Sequence, residues 1–166
     1  VKNNFPRVEL TSEVMDIIQD PDIRAVIVAT PALTHFDLVM KILNSGKHVL
    51  VEKPMATTPE EMDKIIELSE KKNLVAMAGH TFLFFFFFRY LKKMIDSGEL
   101  GEVRYIYCQR VNLGRIRSDV DALWNFAPHD VSIIQYLLND LVPLSVTRQG
   151  MDYVQNGIED VVFMNI

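Results

Sequence analysis

Apolar residues follow two rhythms along this chain. Between residues 11 and 81, short unbroken aliphatic runs alternate with longer segments in which apolar positions recur every three or four residues. Val14, Ile17 and Ile18 share one helical face, with Thr11 or Ser12 as N-cap and Asp20-Pro21 as the stop. Ala25-Val26-Ile27-Val28-Ala29 predicts a buried strand, and residues 30–35 form a loop into a helix from about His35 to Asn44 that Gly46 ends. Val49-Leu50-Val51 is a second buried strand, closing abruptly on Glu52-Lys53-Pro54. Thr58-Pro59-Glu60-Glu61 is a strong helix start, with a Thr cap, Pro in the first helical position and two acids in the first turn. That helix runs to about Lys72, with Met62, Ile65, Ile66 and Leu68 toward the core, and Asn73 closes it. Residues 74–78 are the next strand, ending at Gly79-His80-Thr81. Strands spaced by helices in this way predict a parallel sheet with right-handed crossovers.

The rhythm then changes. A helix over residues 87–97 stops at Gly98, and residues 103–111 alternate in period two, as a strand with one covered and one open face does in an antiparallel sheet. A loop rich in Arg, Asp and Gly follows, then a helix over residues 128–138 and strands over 144–154 and 161–166. The fold class expected is α/β, a parallel sheet over residues 1–82 followed by part of an α+β domain with a mostly antiparallel sheet over 83–166. The pattern stops midway through an element, so the chain is expected to be a piece of a longer one. Phe82-Leu83-Phe84-Phe85-Phe86-Phe87-Phe88 holds more than half of the ten phenylalanines and fits no period. Three readings stay open: a substituted stretch standing where another sequence belongs, the buried start of a helix, or a hydrophobic partner site.

Composition narrows the classes. With 49% hydrophobic and 23% charged residues the chain is globular, not disordered. A net charge of −5 with scattered basic residues gives no surface for nucleic acid or an anionic membrane. The longest apolar block is far shorter than the roughly 18 residues of a membrane span. Cys108 is alone, which excludes an intramolecular disulfide; with no signal-peptide pattern at the start, the expected location is the cytoplasm.

Glu52 and Lys53 stand at the carboxyl end of a buried parallel strand, where open α/β sheets bind ligands; a surface ion pair is the plainer alternative. Pro54 keeps Lys53 out of helical geometry and so holds its direction. Of the four histidines, His48 lies beside a turn, whereas His35, His80 and His129 are better placed for a crevice. None has metal-ligand spacing, and no metal is expected. Asn125 and His129 share a face if their turn is helical, although His129 also fits a capping or buried histidine bonded to a carbonyl.

In order, Ala29-Thr30-Pro31 with His35, Val51-Glu52-Lys53-Pro54, Gly79-His80-Thr81-Phe82 and Trp124-Asn125-Phe126-Ala127-Pro128-His129-Asp130 resemble the successive signatures of the Gfo/Idh/MocA oxidoreductases. The resemblance covers nearly the whole chain and is nearest the branch acting on nucleotide-linked amino sugars, through Asn112-Leu113-Gly114-Arg115 and the Trp124 to Asp130 segment. It implies an NAD- or NADP-dependent dehydrogenase in which residues 1–82 are the later part of a Rossmann domain and 83–166 begin a substrate-binding and oligomerisation domain. The glycine-rich phosphate loop would stand before Val1. It further implies a homo-oligomer, dimer or tetramer, assembled through the second domain's sheet.

In that family picture Thr30, Pro31 and His35 lie beside the cofactor, Glu52 and Lys53 near the nicotinamide ribose, and His80 is a further cofactor contact. Arg110, Asn112 and Arg117 join Lys53, Asn125 and His129 as candidate substrate contacts. A cis Lys53-Pro54 bond belongs to the same picture. Hydride leaves a carbinol carbon only as its hydroxyl proton is removed, so His129 suits the base and Lys53 the cation beside the developing alkoxide. Asn125 stands where many members have Asp; its amide can orient His129 but cannot take a proton. The expected reaction is oxidation of a secondary alcohol of a sugar or nucleotide-sugar, for instance carbon 3 of a UDP-linked amino sugar. The rival is a catalytically inactive binding or assembly module of the same fold.

Overall fold

A computed structural model describes residues 4–111, 120–139 and 142–166. The chain forms two compact units, Val1–Gly79 and His80–Ile166.

The first unit runs α1 (Val14–Gln19), β1 (Ala25–Val28), α2 (His35–Asn44), β2 (His48–Val51), α3 (Pro59–Lys72) and β3 (Ala76–Ala78). The strands lie in the order β1-β2-β3 and both pairs are parallel, with Val26 opposite Val49 and Val49 opposite Ala76. Parallel neighbours cannot be joined by a tight turn, and α2 and α3 are the crossovers that join them. They pack on one another and on one sheet face, enclosing Val28, Val39, Ile42, Leu43, Val49, Val51, Met55 and Ile65. The opposite face carries the row Ile27, Leu50, Met77, of which Ile27 is 73% exposed. β1 is therefore covered on one face only; an unbroken apolar run cannot distinguish that from burial on both.

Local chemistry sets the ends of α3. The Thr58 hydroxyl accepts the Glu61 amide at 3.2 Å, Pro59 opens the helix and Asn73 closes it with φ 53°. Glu61 reaches back in turn, accepting the amide and hydroxyl of Thr57 at 2.9 Å each, and these bonds hold its carboxyl below the usual carboxylate range. Ile65 is buried, but Ile66, expected beside it, points outward: successive helical residues are turned about 100° apart. α1 is capped one residue later than expected, at Glu13, because the Thr11 hydroxyl forms a local turn by accepting the Glu13 amide at 2.9 Å. The ammonium of buried Lys47 donates to the carbonyls of Asp20 and Ile23 at 2.6 and 2.7 Å, which anchors the turn before β1.

The second unit contains a 3₁₀ turn (Thr81–Phe84), α4 (Phe86–Asp96), α5 (Ala122–Leu137) and an antiparallel pair, β4 (Thr147–Met151) with β5 (Val161–Asn165), in which Gln149 faces Phe163. Ile133 and Leu137 of α5 are buried. Two expectations are corrected, and one of the open readings of the phenylalanine run is closed. Residues 103–111 form no strand: a ladder needs a partner for its backbone groups, and among the described residues this segment pairs with none. α5 begins at Ala122 instead of Pro128, because the Asp121 carboxylate accepts the Trp124 amide at 2.8 Å and starts the helix a turn and a half earlier, leaving Pro128 inside it. The phenylalanine run is not a buried helix start, since Phe84, Phe85, Phe86 and Phe87 are all exposed, Phe86 by 81%. Among the described residues no helix is long and apolar enough to cross a membrane.

Candidate functional site

The carboxyl ends of the three parallel strands bring one group of residues together. After β1 the chain passes through Thr30 and Pro31 into a single 3₁₀ turn, Ala32–Thr34, before α2. The Thr34 hydroxyl donates to the Pro31 carbonyl at 2.8 Å, so in the 2.7 Å contact between the two threonines Thr30 is the donor. After β2 the ladder ends with the Glu52 amide on the Val28 carbonyl at 2.9 Å, and the Gly79 amide, at the end of β3, donates to Val51 at 2.7 Å. The Lys53–Pro54 bond is cis, as the resemblance implies. A Cβ on Gly79 would lie 3.3 Å from the Val51 carbonyl and 3.4 Å from the Glu52 carboxylate. Glycine thus lets the end of β3 pack closely against the β2 tip.

His35, the first residue of α2, lies within the unit and is 1% exposed. Its Nδ1 is 2.7 Å from the Pro54 carbonyl and its Nε2 is 2.8 Å from that of Thr30, so both ring nitrogens are engaged by the loops. Thr30, Pro31 and Glu52 are exposed, and Lys53 is half-buried.

In the second unit, α5 places Asn125 and His129 four residues apart on one face, with Asp130 next along. The Arg110 Nε donates to the Asp130 carboxylate at 2.9 Å, and the guanidinium lies 4.7 Å from the centre of the Phe82 ring. Phe82 in turn meets His129 edge to face at 4.8 Å. One aromatic ring therefore separates a carboxylate-held guanidinium from the imidazole. His80 belongs to this unit; its Nδ1 is buried without a hydrogen-bond partner among the described residues, and burial holds its pKa below the usual value, favouring the neutral ring. Burial, together with the Asp130 carboxylate, pushes the Cys108 thiol up despite opposing Arg110, which keeps it protonated and a poor nucleophile. Asn112 and Arg117 lie outside the described residues.

The sequence reading did not single out Phe82, Asp130 or Gly79 as site members. Asp130 stands next to His129 in an otherwise apolar helix, and that is the signal by which it could have been found. Nothing in the spacing pairs it with Arg110.

A parallel sheet whose strand tips carry open polar loops, joined by crossover helices, is the architecture of a dinucleotide-binding fold. Residues 2–80 match the Gfo/Idh/MocA family, described as an oxidoreductase family with an NAD-binding Rossmann fold, and the chain belongs to that family. Scyllo-inositol 2-dehydrogenase (NADP(+)) IolW of Bacillus subtilis is 34% identical over 124 residues, which are 75% of this chain and 34% of that protein. The 2,7-anhydro-N-acetylneuraminate hydratase of Mediterraneibacter gnavus is 30% identical over 159 residues, 87% of this chain and 42% of its own length. Among solved structures, yvaA from Bacillus subtilis superposes with a TM-score of 0.83 at 29% identity, covering 99% of this chain and 49% of that one. The chain thus spans less than half the length of each. These relatives do not single out the nucleotide-amino-sugar branch.

Proposed function

We propose that the protein is an NAD(P)-dependent dehydrogenase acting on a secondary alcohol of a sugar or polyol. The observation that carries this reading is the set of strand-tip loops, with exposed Thr30, Pro31 and Glu52 and half-buried Lys53. They fit a nicotinamide nucleoside: Glu52 can accept ribose hydroxyls, and Lys53 supplies a donor beside them. The pyrophosphate-binding part would come from outside these residues. Similarity to a scyllo-inositol 2-dehydrogenase supports a ring alcohol as substrate. Within that class, the Trp124 to Asp130 segment favours carbon 3 of a UDP-linked amino sugar.

The nicotinamide, when bound, supplies the hydride acceptor. The chain's own residues supply the rest. His129 takes the hydroxyl proton on an imidazole nitrogen as the alcohol is oxidised. The Lys53 ammonium offsets negative charge on the substrate oxygen, and Asn125, one turn before His129, orients the base through its amide. Arg110, fixed by Asp130 and Phe82, contributes a substrate contact, as would Asn112 and Arg117. A cytoplasmic homo-oligomer, assembled through the second unit's sheet, completes the proposal.

Two rivals differ in outcome. The exposed aromatic run favours a non-catalytic assembly module, and similarity to a hydratase favours a reaction with no net change in NAD(H). Calorimetric titration of the full-length protein with NAD(H) and NADP(H), followed by absorbance at the reduced nicotinamide band with polyol and nucleotide-sugar substrates, separates the three. Binding with net reduction is expected. No binding would favour the module, and binding with turnover but no net reduction the hydratase-type reaction. In the active protein Lys53→Ala is expected to abolish turnover with the fold intact; retained turnover would overturn the role given to Lys53.

A further inference from the structure

The geometry points to His35 as a positioning residue that locks the loop carrying Lys53 to the loop carrying Thr30. The backbone ladder between β1 and β2 ends at Glu52, whose amide donates to Val28. Beyond it the two loops diverge, and the His35 ring spans them, with Nε2 2.8 Å from the Thr30 carbonyl and Nδ1 2.7 Å from that of Pro54. Pro54 is the residue bonded to Lys53 through the cis peptide. That carbonyl belongs to the Pro54–Met55 peptide, so pinning it holds Pro54, whose ring fixes its own φ, and through Pro54 restrains the chain immediately after Lys53.

Several features make this a built link. The ring is 1% exposed, so water does not compete for its nitrogens. It sits at the first position of α2, a helix whose Val39, Ile42 and Leu43 are all buried, so the link is carried by the rigid part of the unit. A carbonyl oxygen only accepts, so each contact is a hydrogen bond only when the facing nitrogen carries its proton. The imidazole sets a nitrogen on each of two sides of one ring, so it reaches both carbonyls and donates to the one whose facing nitrogen holds the proton; an amide carries both of its N–H groups on one nitrogen. His35 therefore supports the candidate site from within and does not touch substrate. Its functional meaning rests on the dehydrogenase reading of Lys53, but the mechanical link does not.

The test uses the full-length protein without cofactor, as wild type, His35→Gln and His35→Phe. Two readouts are followed: hydrogen exchange in peptides covering residues 30–34 and 52–57, and the rate at which an amine-acylating reagent modifies Lys53, with Lys64 on α3 as internal reference. Removing the ring's reach across both loops in His35→Gln is expected to speed exchange in both by on the order of tenfold, and removing every polar contact in His35→Phe by more. The Lys53 labelling rate should shift severalfold relative to Lys64, with the glutamine variant intermediate. Exchange that rises equally in α3 would reduce His35 to a general core residue and overturn the proposal. So would unchanged labelling of Lys53 in both variants. Neither readout involves turnover. Retained activity in Lys53→Ala would thus sink the catalytic reading and leave the link standing, whereas unchanged exchange and labelling would sink the link alone.

Discussion

The two units dispose of their apolar residues in different ways. In the first, two crossover helices close over one face of the parallel sheet and enclose a continuous core from Val28 to Ile65. Its buried polar side chains, His35 and Lys47, lie against backbone carbonyls. In the second, the fully buried hydrophobic residues among those described are Ile133 and Leu137, while Phe84 to Phe87, Tyr105 and Tyr107 are exposed. Elements in the first unit are held by partners distant in sequence that helices bring back. α4, α5 and a two-stranded ladder bring back fewer, so apolar surface stays open. The first unit also leaves apolar surface open, on the uncovered sheet face at Ile27 and Met77, but it encloses a core that the second lacks among the described residues.

Substitutions can break or sharpen this contrast. The largest effect is expected from Leu43→Ala, at a wholly buried position in α2, which should cost about 2–5 kcal/mol in urea unfolding of the first unit. A loss well under about 1 kcal/mol would show that this core is less tightly packed than its burial implies. A smaller effect, confined to one helix end, is expected from Glu61→Gln. The Glu61 carboxyl is lowered because it accepts the amide and hydroxyl of Thr57, so its stabilisation is present above the ordinary carboxylate range and is lost as pH falls through the lowered folded value. The variant should therefore melt below the wild type at neutral pH, and the gap should close in acid; a pH-independent gap would contradict the assignment. The smallest change in stability is expected from Phe86→Ser in the second unit, within about 0.5 kcal/mol. On the rival assembly-module reading, self-association followed by sedimentation should nevertheless weaken, whereas assembly through the sheet would leave it unchanged. A large loss of stability there would mean that the run is structural and not a docking surface.

How much of this was legible in the residues depended on range. α3 was readable to the residue, since Thr58, Pro59, Glu61 and Asn73 fix its ends through groups within four positions of each other. α2 was equally plain, and the strand runs of the first unit could be placed from aliphatic blocks between helices. The start of α5 was missed because Asp121 outweighs Pro128 as a signal only once its carboxylate is seen on the Trp124 amide. The alternation over residues 103–111 was real, yet a strand exists only with a partner, and period two does not supply one.

The candidate site divides along the same line. Sequence by itself determined that polar residues gather where parallel strands end, because a buried aliphatic run must close on a loop and a Pro after Lys53 constrains that loop's direction. It also placed Asn125 and His129 one helical turn apart. Only the tertiary structure decided that His35 turns inward to bridge the carbonyls of Thr30 and Pro54, and that Arg110, Phe82 and His129 lie in series, with Phe82 and His129 edge to face. Those contacts join residues 5 to 47 positions apart. Caps and turns are settled by neighbours along the chain; a ring between two loops is settled by which elements pack together, and no local pattern encodes that.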